Sequence, residues 1–150
     1  MLIHTVHINL EDIIKDITSK SLKVGWDKNA THDDGTPVSM VAYQNEFGNM
    51  ARNIPPRPFM RPAVDNNTWS KQFSLLLKPV LRGNSTATTA FKQTGLIIEG
   101  DIKQAITEVT APALAQSTIK ARQRRGSNST KPLQDTGVMI RTVSNEVKDV

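Results

Sequence analysis

Residues 85–109 have the sequence STATTAFKQTGLIIEGDIKQAITEV and carry the clearest helical signal in the chain. Apolar side chains recur there at steps of three and four residues, which is the spacing of one face of an α-helix. Ser85 is the predicted N-cap, and the helix is expected to run for about 24 residues, or about 36 Å. Gly95 and Gly100 each lower the helix propensity, so we expect close packing against a neighbouring element at both.

The sequence also predicts a short helix and a small sheet. Asn9 has the features of an N-cap, because apolar residues at helical spacing follow it. Alternation of apolar and polar residues predicts a half-buried strand from Leu22 to Trp26 and a short strand over residues 6–10. The β-branched residues between Ile140 and Val147 predict a closing strand.

A second helix is predicted over residues 38–47. Thr36 is its expected cap, Pro37 occupies the first helical position, and Gly48 ends it, which matches the usual asymmetry of proline and glycine at helix ends. The β-branched and aromatic residues of this segment also suit a strand, so the strand alternative stays open.

The segment 49–62 is predicted to be an extended, proline-rich arm. It has four prolines within residues 55–62, a density that neither a helix nor a central strand tolerates. Pro62 is expected to open a helix that runs to about Leu77, and Pro112 a shorter one. Residues 123–131 are basic and rich in glycine and serine, which predicts a mobile basic loop.

Together these patterns predict one α+β domain over residues 1–150. A small mixed or antiparallel sheet should pack against the long amphipathic helix, with the proline-rich arm and the basic loop outside it. The hydrophobic content of 37% suits a single core for a chain of 150 residues. Its apolar runs are far shorter than the 20 or so residues that cross a bilayer, so we expect no membrane contact.

Little in the sequence points to catalysis, a metal or a cofactor. The chain has no cysteine, which excludes disulfides, thiolate metal sites and a cysteine nucleophile. The local pattern around His4 and His7 favours a strand, which would point the two side chains to opposite faces, and His32 belongs to a turn. No nucleophile elbow, phosphate-binding glycine loop or dinucleotide motif is present. We therefore expect a protein that is not an enzyme and needs no cofactor.

The charge distribution carries more information. The chain has 19 Lys and Arg against 14 Asp and Glu, a net charge of +5. A block without acidic residues contains five cations, Lys120, Arg122, Arg124, Arg125 and Lys131. Such a block can hold phosphates without reading bases, or bind an acidic partner surface. The alternative is a solvated loop that only balances acidic surface elsewhere.

Three segments together resemble a known family. Residues 41–48 read VAYQNEFG, residues 54–63 read IPPRPFMRPA, and residues 131–139 read KPLQDTGVM. They are similar to the Glu-Phe-Gly, Arg-Pro-Phe and Asp-Thr-Gly motifs of phage tail-completion and neck proteins, and residues 114–119 resemble the lead-in to the third motif. In the commonest relatives the Asp-Thr-Gly segment precedes the Glu-Phe-Gly segment, whereas here it follows.

The resemblance implies a structural subunit of the virion neck, assembled in the cytoplasm of the bacterial host. Such a subunit forms a homo-oligomeric ring of about six, or about twelve, copies that closes the tail or joins it to the head. Its expected partners are the head connector, the tail-tube or terminator proteins and, without sequence preference, the DNA of the channel. A tail-terminator ring is the nearest alternative, and a basic DNA-binding accessory protein is an alternative of another class.

The proline-rich arm is the predicted oligomer interface, because a stiff segment loses little entropy when it docks on a neighbour. The residues assigned to this interface are Arg57, Pro58, Phe59, Met60 and Arg61. The alternative is that Phe59 and Met60 fill the core of their own subunit. Asp135, Thr136 and Gly137 are predicted to form a structural turn, with Gly137 in a conformation that other residues rarely adopt.

Overall fold

A computed structural model of the chain describes residues 9–65 and 68–150. These residues form seven α-helices, one short 3₁₀-helix and two β-strands. In chain order the elements are α1 (Leu10–Thr18), β1 (Lys20–Trp26), α2 (Val38–Phe47), the 3₁₀-helix (Met50–Arg52), α3 (Met60–Asp65), α4 (Trp69–Leu81), α5 (Ala87–Glu108), α6 (Gln116–Arg124), α7 (Val138–Arg141) and β2 (Val143–Asp149). The two strands pair as an antiparallel sheet and pack against α5, which confirms the predicted α+β class.

The described residues divide into two compact units. The first comprises residues 9–24, 68–98 and 145–150. The second comprises residues 25–65 and 99–144. His4, His7 and residues 6–8 of the first predicted strand lie outside the described part of the chain.

The first unit is built on α1, α4 and the N-terminal part of α5. Asn9 caps α1, as predicted, since its side-chain oxygen accepts the backbone N–H of Glu11. The rings of Phe73 on α4 and Phe91 on α5 meet edge to face, with centroids 4.8 Å apart. This aromatic pair helps to anchor α4 to α5, because such pairs add stabilisation beyond the area that they bury.

The long helix α5 starts slightly later than the sequence indicates. Thr86 acts as its cap in place of Ser85, because the Thr86 hydroxyl accepts the N–H of Thr89 at 3.2 Å. Close packing at Gly95 is confirmed: a Cβ there would lie 2.6 Å from the side-chain oxygen of Asn145 on β2. The same expectation for Gly100 is wrong, since nothing lies within 4 Å of a Cβ at that position.

The second unit has its core around Phe59, Val38 and the C-terminal part of α5. Phe59 is 1% exposed and meets the edge of Trp26, with ring centroids 5.9 Å apart. The Trp26 indole N–H in turn donates to the carbonyl of Met139 at 2.8 Å. Ile106 is fully buried on α5. This unit contains α2, α3 and α7, each of which includes part of one of the three resembling segments.

The helix predicted over residues 38–47 is confirmed, but its predicted cap is wrong. Pro37 is the N-cap residue, and Thr36 belongs to the preceding loop. The N–H of Thr36 donates to the Asp34 carboxylate and its carbonyl accepts from His32, so tertiary loop geometry withdraws it from the helix. Gly48 follows the last turn with φ 78°, a conformation in which glycine is favoured.

The predicted arm is extended only in its middle. Met50–Arg52 forms the 3₁₀-helix, which the Asn49 side chain caps, and α3 starts at Met60, before the predicted start at Pro62. The single helix expected from Pro62 onward is two helices in the structure, α3 and α4. Residues 54–58, which include three of the four prolines, belong to no helix and to neither strand.

Two boundaries near the C-terminus also differ from the prediction. The helix expected at Pro112 begins at Gln116. Ile140 belongs to α7, because Gly137 adopts φ 71° and its carbonyl starts a helical turn by accepting the N–H of Arg141. Gly137 thus has the positive φ that was expected for it, and the closing strand starts only at Val143.

Candidate functional site

Glu46, on α2, connects two of the segments that carry the resemblance. Its carboxylate accepts the backbone N–H groups of Phe59 at 2.8 Å, Met60 at 2.9 Å and Arg61 at 3.1 Å. The Arg61 Nε–H adds a fourth contact at 3.2 Å. The first N–H groups of a helix have no partner within that helix, so a buried carboxylate at this point supplies the acceptors that α3 lacks.

The same contacts govern the charge of Glu46. The residue is only 4% exposed, and burial by itself raises the pKa of its carboxyl group. The three backbone N–H groups and Arg61 outweigh burial, so the net shift of the pKa is downward. Glu46 is therefore a buried anion, and the ionised form is the one that holds the arm.

Phe59 is not available to a neighbouring subunit in this structure. It lies against Trp26 in the core of its own chain, which is the alternative considered for this residue. Pro58, Met60 and Arg61 keep accessible surface, and for them the interface stays a prediction.

An exposed apolar surface adjoins these accessible residues. Tyr43 and Phe47 point outward from α2 with ring centroids 4.8 Å apart, and both are more than half exposed. The Arg61 guanidinium lies 5.4 Å from the centroid of the Phe47 ring. Met50 is 96% exposed. We call these four side chains the α2 surface; the sequence analysis did not single out its two aromatic residues or Met50.

Arg57 is held inside the second unit by backbone carbonyls. Its Nε–H donates to the carbonyl of Pro112 at 2.7 Å, and Nη2 donates to that of Ala113 at 3.0 Å. The residue is 6% exposed, and no ion pair among the described residues includes it. Burial lowers the pKa of Arg57, and the nearby charge of Arg122 lowers it further.

Arg122 is the buried member of the predicted basic block. Nη1 donates to the carbonyls of Ser129 at 3.1 Å and Lys131 at 2.8 Å, so Arg122 organises the loop that follows α6. Burial lowers its pKa, while the carboxylate of Asp135, 3.6 Å from Nε, acts in the opposite direction. Arg122 is therefore a structural cation and is not free to bind DNA from the surface.

Asp135, in the predicted turn, is shared between two members of that block. Its Oδ2 accepts from Arg125 Nη2 at 2.8 Å. Its Oδ1 faces Arg122 and has no hydrogen-bond partner among the described residues. Lys120, Arg124 and Lys131 are exposed and form no ion pair within the described residues.

An open cleft of about 1060 Å³ brings these groups together within the second unit. The three resembling segments all contribute to its lining, and its cationic members include Arg57, Arg122 and Arg125. Asp135, Thr136 and Gly137 line it as well, whereas Lys120, Arg124 and Lys131 do not. The structure thus gathers part of the predicted interface, part of the basic block and the predicted turn around one concavity.

Sequence reasoning missed the role of Glu46, although one signal was present. Glu46 is the single acidic residue between Asp34 and Asp65, in a stretch that has three arginines. An isolated carboxylate within an apolar helix, followed by a proline-rich segment with few N–H donors, is a candidate for a buried cap. Which donors it would meet depends on the tertiary fold.

Neither a metal cluster among the described residues nor a similarity to a known protein indicates a chemistry for this site. Within residues 9–65 and 68–150, no group of three or more His, Asp and Glu is arranged to hold a metal ion. None of the described helices is long and apolar enough to cross a membrane. No protein-family model, no curated protein and no solved structure matches this chain.

Proposed function

We propose that this protein is a structural, non-catalytic component of a tailed-phage neck, acting in tail completion or head–tail joining. One observation carries the proposal: Glu46 of the first resembling segment binds the backbone of the second, at Phe59, Met60 and Arg61. These bonds support the proposal because they join two of the resembling segments in space.

The α2 surface supports assembly into a ring. Exposed aromatic and methionine side chains beside an arginine have the composition that is enriched at the centres of protein interfaces. The surface is continuous with the accessible part of the predicted interface, because Arg61 belongs to both. We therefore expect a second copy of the chain to cover Tyr43, Phe47 and Met50 in a head-to-tail contact.

Electron microscopy of particles made without this protein tests the proposal. Free, DNA-filled heads beside tails of normal length are the expected result, because a missing joining component blocks only the last step of assembly. Tails of abnormal length would instead indicate a tail-terminator ring. Normal infectious virions would contradict every neck function.

A DNA-binding accessory protein is the second candidate. It is favoured by the exposure of Lys120, Arg124 and Lys131, which form no ion pair within the described residues. If they hold phosphates, changing all three to glutamine should reduce the slope of log K against log salt by about 3.

The matched control for that experiment changes Lys71, Lys78 and Arg82 to glutamine. These cations are exposed as well, and the change removes the same charge. Equal salt slopes for the two triple variants would exclude the basic block as a DNA site. If both triple variants still join heads to tails, the basic block does not take part in the joining.

A further inference from the structure

The positive charge of Arg57, which lines the cleft, has no ion-pair partner among the described residues. A guanidinium has five N–H donors, and hydrogen bonds to described residues use two of those of Arg57, both directed to backbone carbonyls. Carbonyl oxygens satisfy N–H groups, but they do not neutralise a charge. Buried charges in folded proteins are normally paired, so an arginine that is 6% exposed and has no carboxylate partner is unusual.

No carboxylate of the described residues forms an ion pair with Arg57, although Asp33, Asp34 and Asp135 line the same cleft. Asp135 lines the same cleft, but Arg122 and Arg125 already share its carboxylate, at 3.6 and 2.8 Å. Glu46 is saturated by α3 and by Arg61. The positive field of Arg122 adds to that of Arg57, which favours an anion that comes from outside the chain.

We propose that the cleft receives an extended segment of another protein subunit, whose aspartate or glutamate carboxylate binds the Arg57 guanidinium. A planar guanidinium and a carboxylate match in a two-bond geometry that is stronger than a bond between neutral groups. The volume of about 1060 Å³ and the open form suit a short stretch of extended chain. The proposal rests on the proposed function only for the identity of the subunit as a virion neighbour.

The lining favours a protein segment over DNA. Asp33 and Asp34 line the cleft and are exposed, so a regular run of phosphates would meet like charge there. Ile54, Pro55 and Leu133 give the cleft apolar surface, on which side chains of a peptide can pack but a phosphate backbone gains nothing. Four arginines and three aspartates line the cleft, a net charge of +1, which suits a single carboxylate better than a polyanion.

The test is a titration of the wild-type protein followed by NMR at the arginine Nε–H signals. The probe is the peptide acetyl-Ala-Pro-Glu-Pro-Ala-amide, and its glutamine counterpart is the matched control. We expect the glutamate peptide to shift the Nε–H signal of Arg57 while that of exposed Arg82, which does not line the cleft, stays unchanged. Equal shifts with both peptides, or no shift at Arg57 at millimolar peptide, would overturn the proposal.

Two variants and one competitor extend the test. Arg57→Lys keeps the charge but loses the two-bond geometry, so we expect at least tenfold weaker binding of the glutamate peptide. Arg82→Lys, at an exposed residue that does not line the cleft, should change nothing. If a short DNA duplex shifts the Arg57 signal and the glutamate peptide does not, the partner is nucleic acid and the proposal fails. Normal virions made without the protein would refute the neck function. If heads stay unjoined without the protein but the glutamate peptide does not shift the Arg57 signal, only the cleft proposal is refuted.

Discussion

The carboxylate of Glu46 accepts the backbone N–H of Phe59 at 2.8 Å, across 13 positions of the sequence. This contact holds the end of the proline-rich segment in place while the Phe59 ring enters the core beside Trp26. One residue of the pair is a buried anion and the other is a buried aromatic residue.

Replacing Glu46 with glutamine should destabilise the protein by about 3 kcal/mol, because the variant loses charge-assisted hydrogen bonds and turns an amide group toward N–H donors. Urea unfolding measures the difference in free energy. Glu146→Gln is the matched control: that side chain is 60% exposed and pairs with Lys148 on the surface. We expect the control to stay within about 0.5 kcal/mol of wild type; similar losses in both variants would contradict the role of Glu46.

The stabilisation by Glu46 should depend on pH. Its pKa in the folded protein is lowered, so its contribution is fully present above the pKa of an unfolded glutamate, about 4.3, and is lost as the pH falls through the folded value. The gap in unfolding free energy between wild type and Glu46→Gln should therefore be constant near neutrality and narrow below about pH 4. Urea titrations at a series of pH values check this. A gap that widens in acid would mean that folding raises the pKa of Glu46, which would contradict the prediction.

Phe59→Ala should cost about 3–5 kcal/mol of unfolding free energy, as expected for a buried phenylalanine. Phe47→Ala is the contrasting variant, because Phe47 is 54% exposed. Within the described residues, its ring makes aromatic or cation–π contacts only with Tyr43 and Arg61. We expect it to cost about 1 kcal/mol or less, yet to weaken self-association measured by light scattering. Stable, fully assembling Phe47→Ala protein would contradict the proposed contact at the α2 surface.

Two glycines on α5 provide a matched pair. Gly95→Ala should destabilise the protein by about 1–3 kcal/mol, since the new Cβ would lie 2.6 Å from the Asn145 side chain, which would have to move out of its packed position. Gly100→Ala meets nothing within 4 Å and should stabilise the helix by about 0.5–1 kcal/mol. Thermal unfolding of both variants checks the signs, and equal shifts of Tm in one direction would be inconsistent with the packing at Gly95.

Features that depend on near neighbours in the chain could be predicted from the sequence. The face of α5, the Asn9 cap, the strand over Leu22–Trp26 and the positive φ values of Gly48 and Gly137 all belong to this group. Each follows from a period of 3.6 or 2, or from a backbone conformation that favours one residue type. These local rules identify the elements and the α+β class.

Which charges are buried was decided by the tertiary structure. Within the basic block, the sequence does not distinguish Arg122 from Arg124, yet the first is buried against backbone carbonyls and the second is exposed. Arg57 reaches the carbonyl of Pro112, 55 positions away, and Glu46 reaches α3 across a proline-rich loop. The free energy of a buried charge depends on the donors, acceptors and charges around it in space, and residue order along the chain does not determine which groups those are.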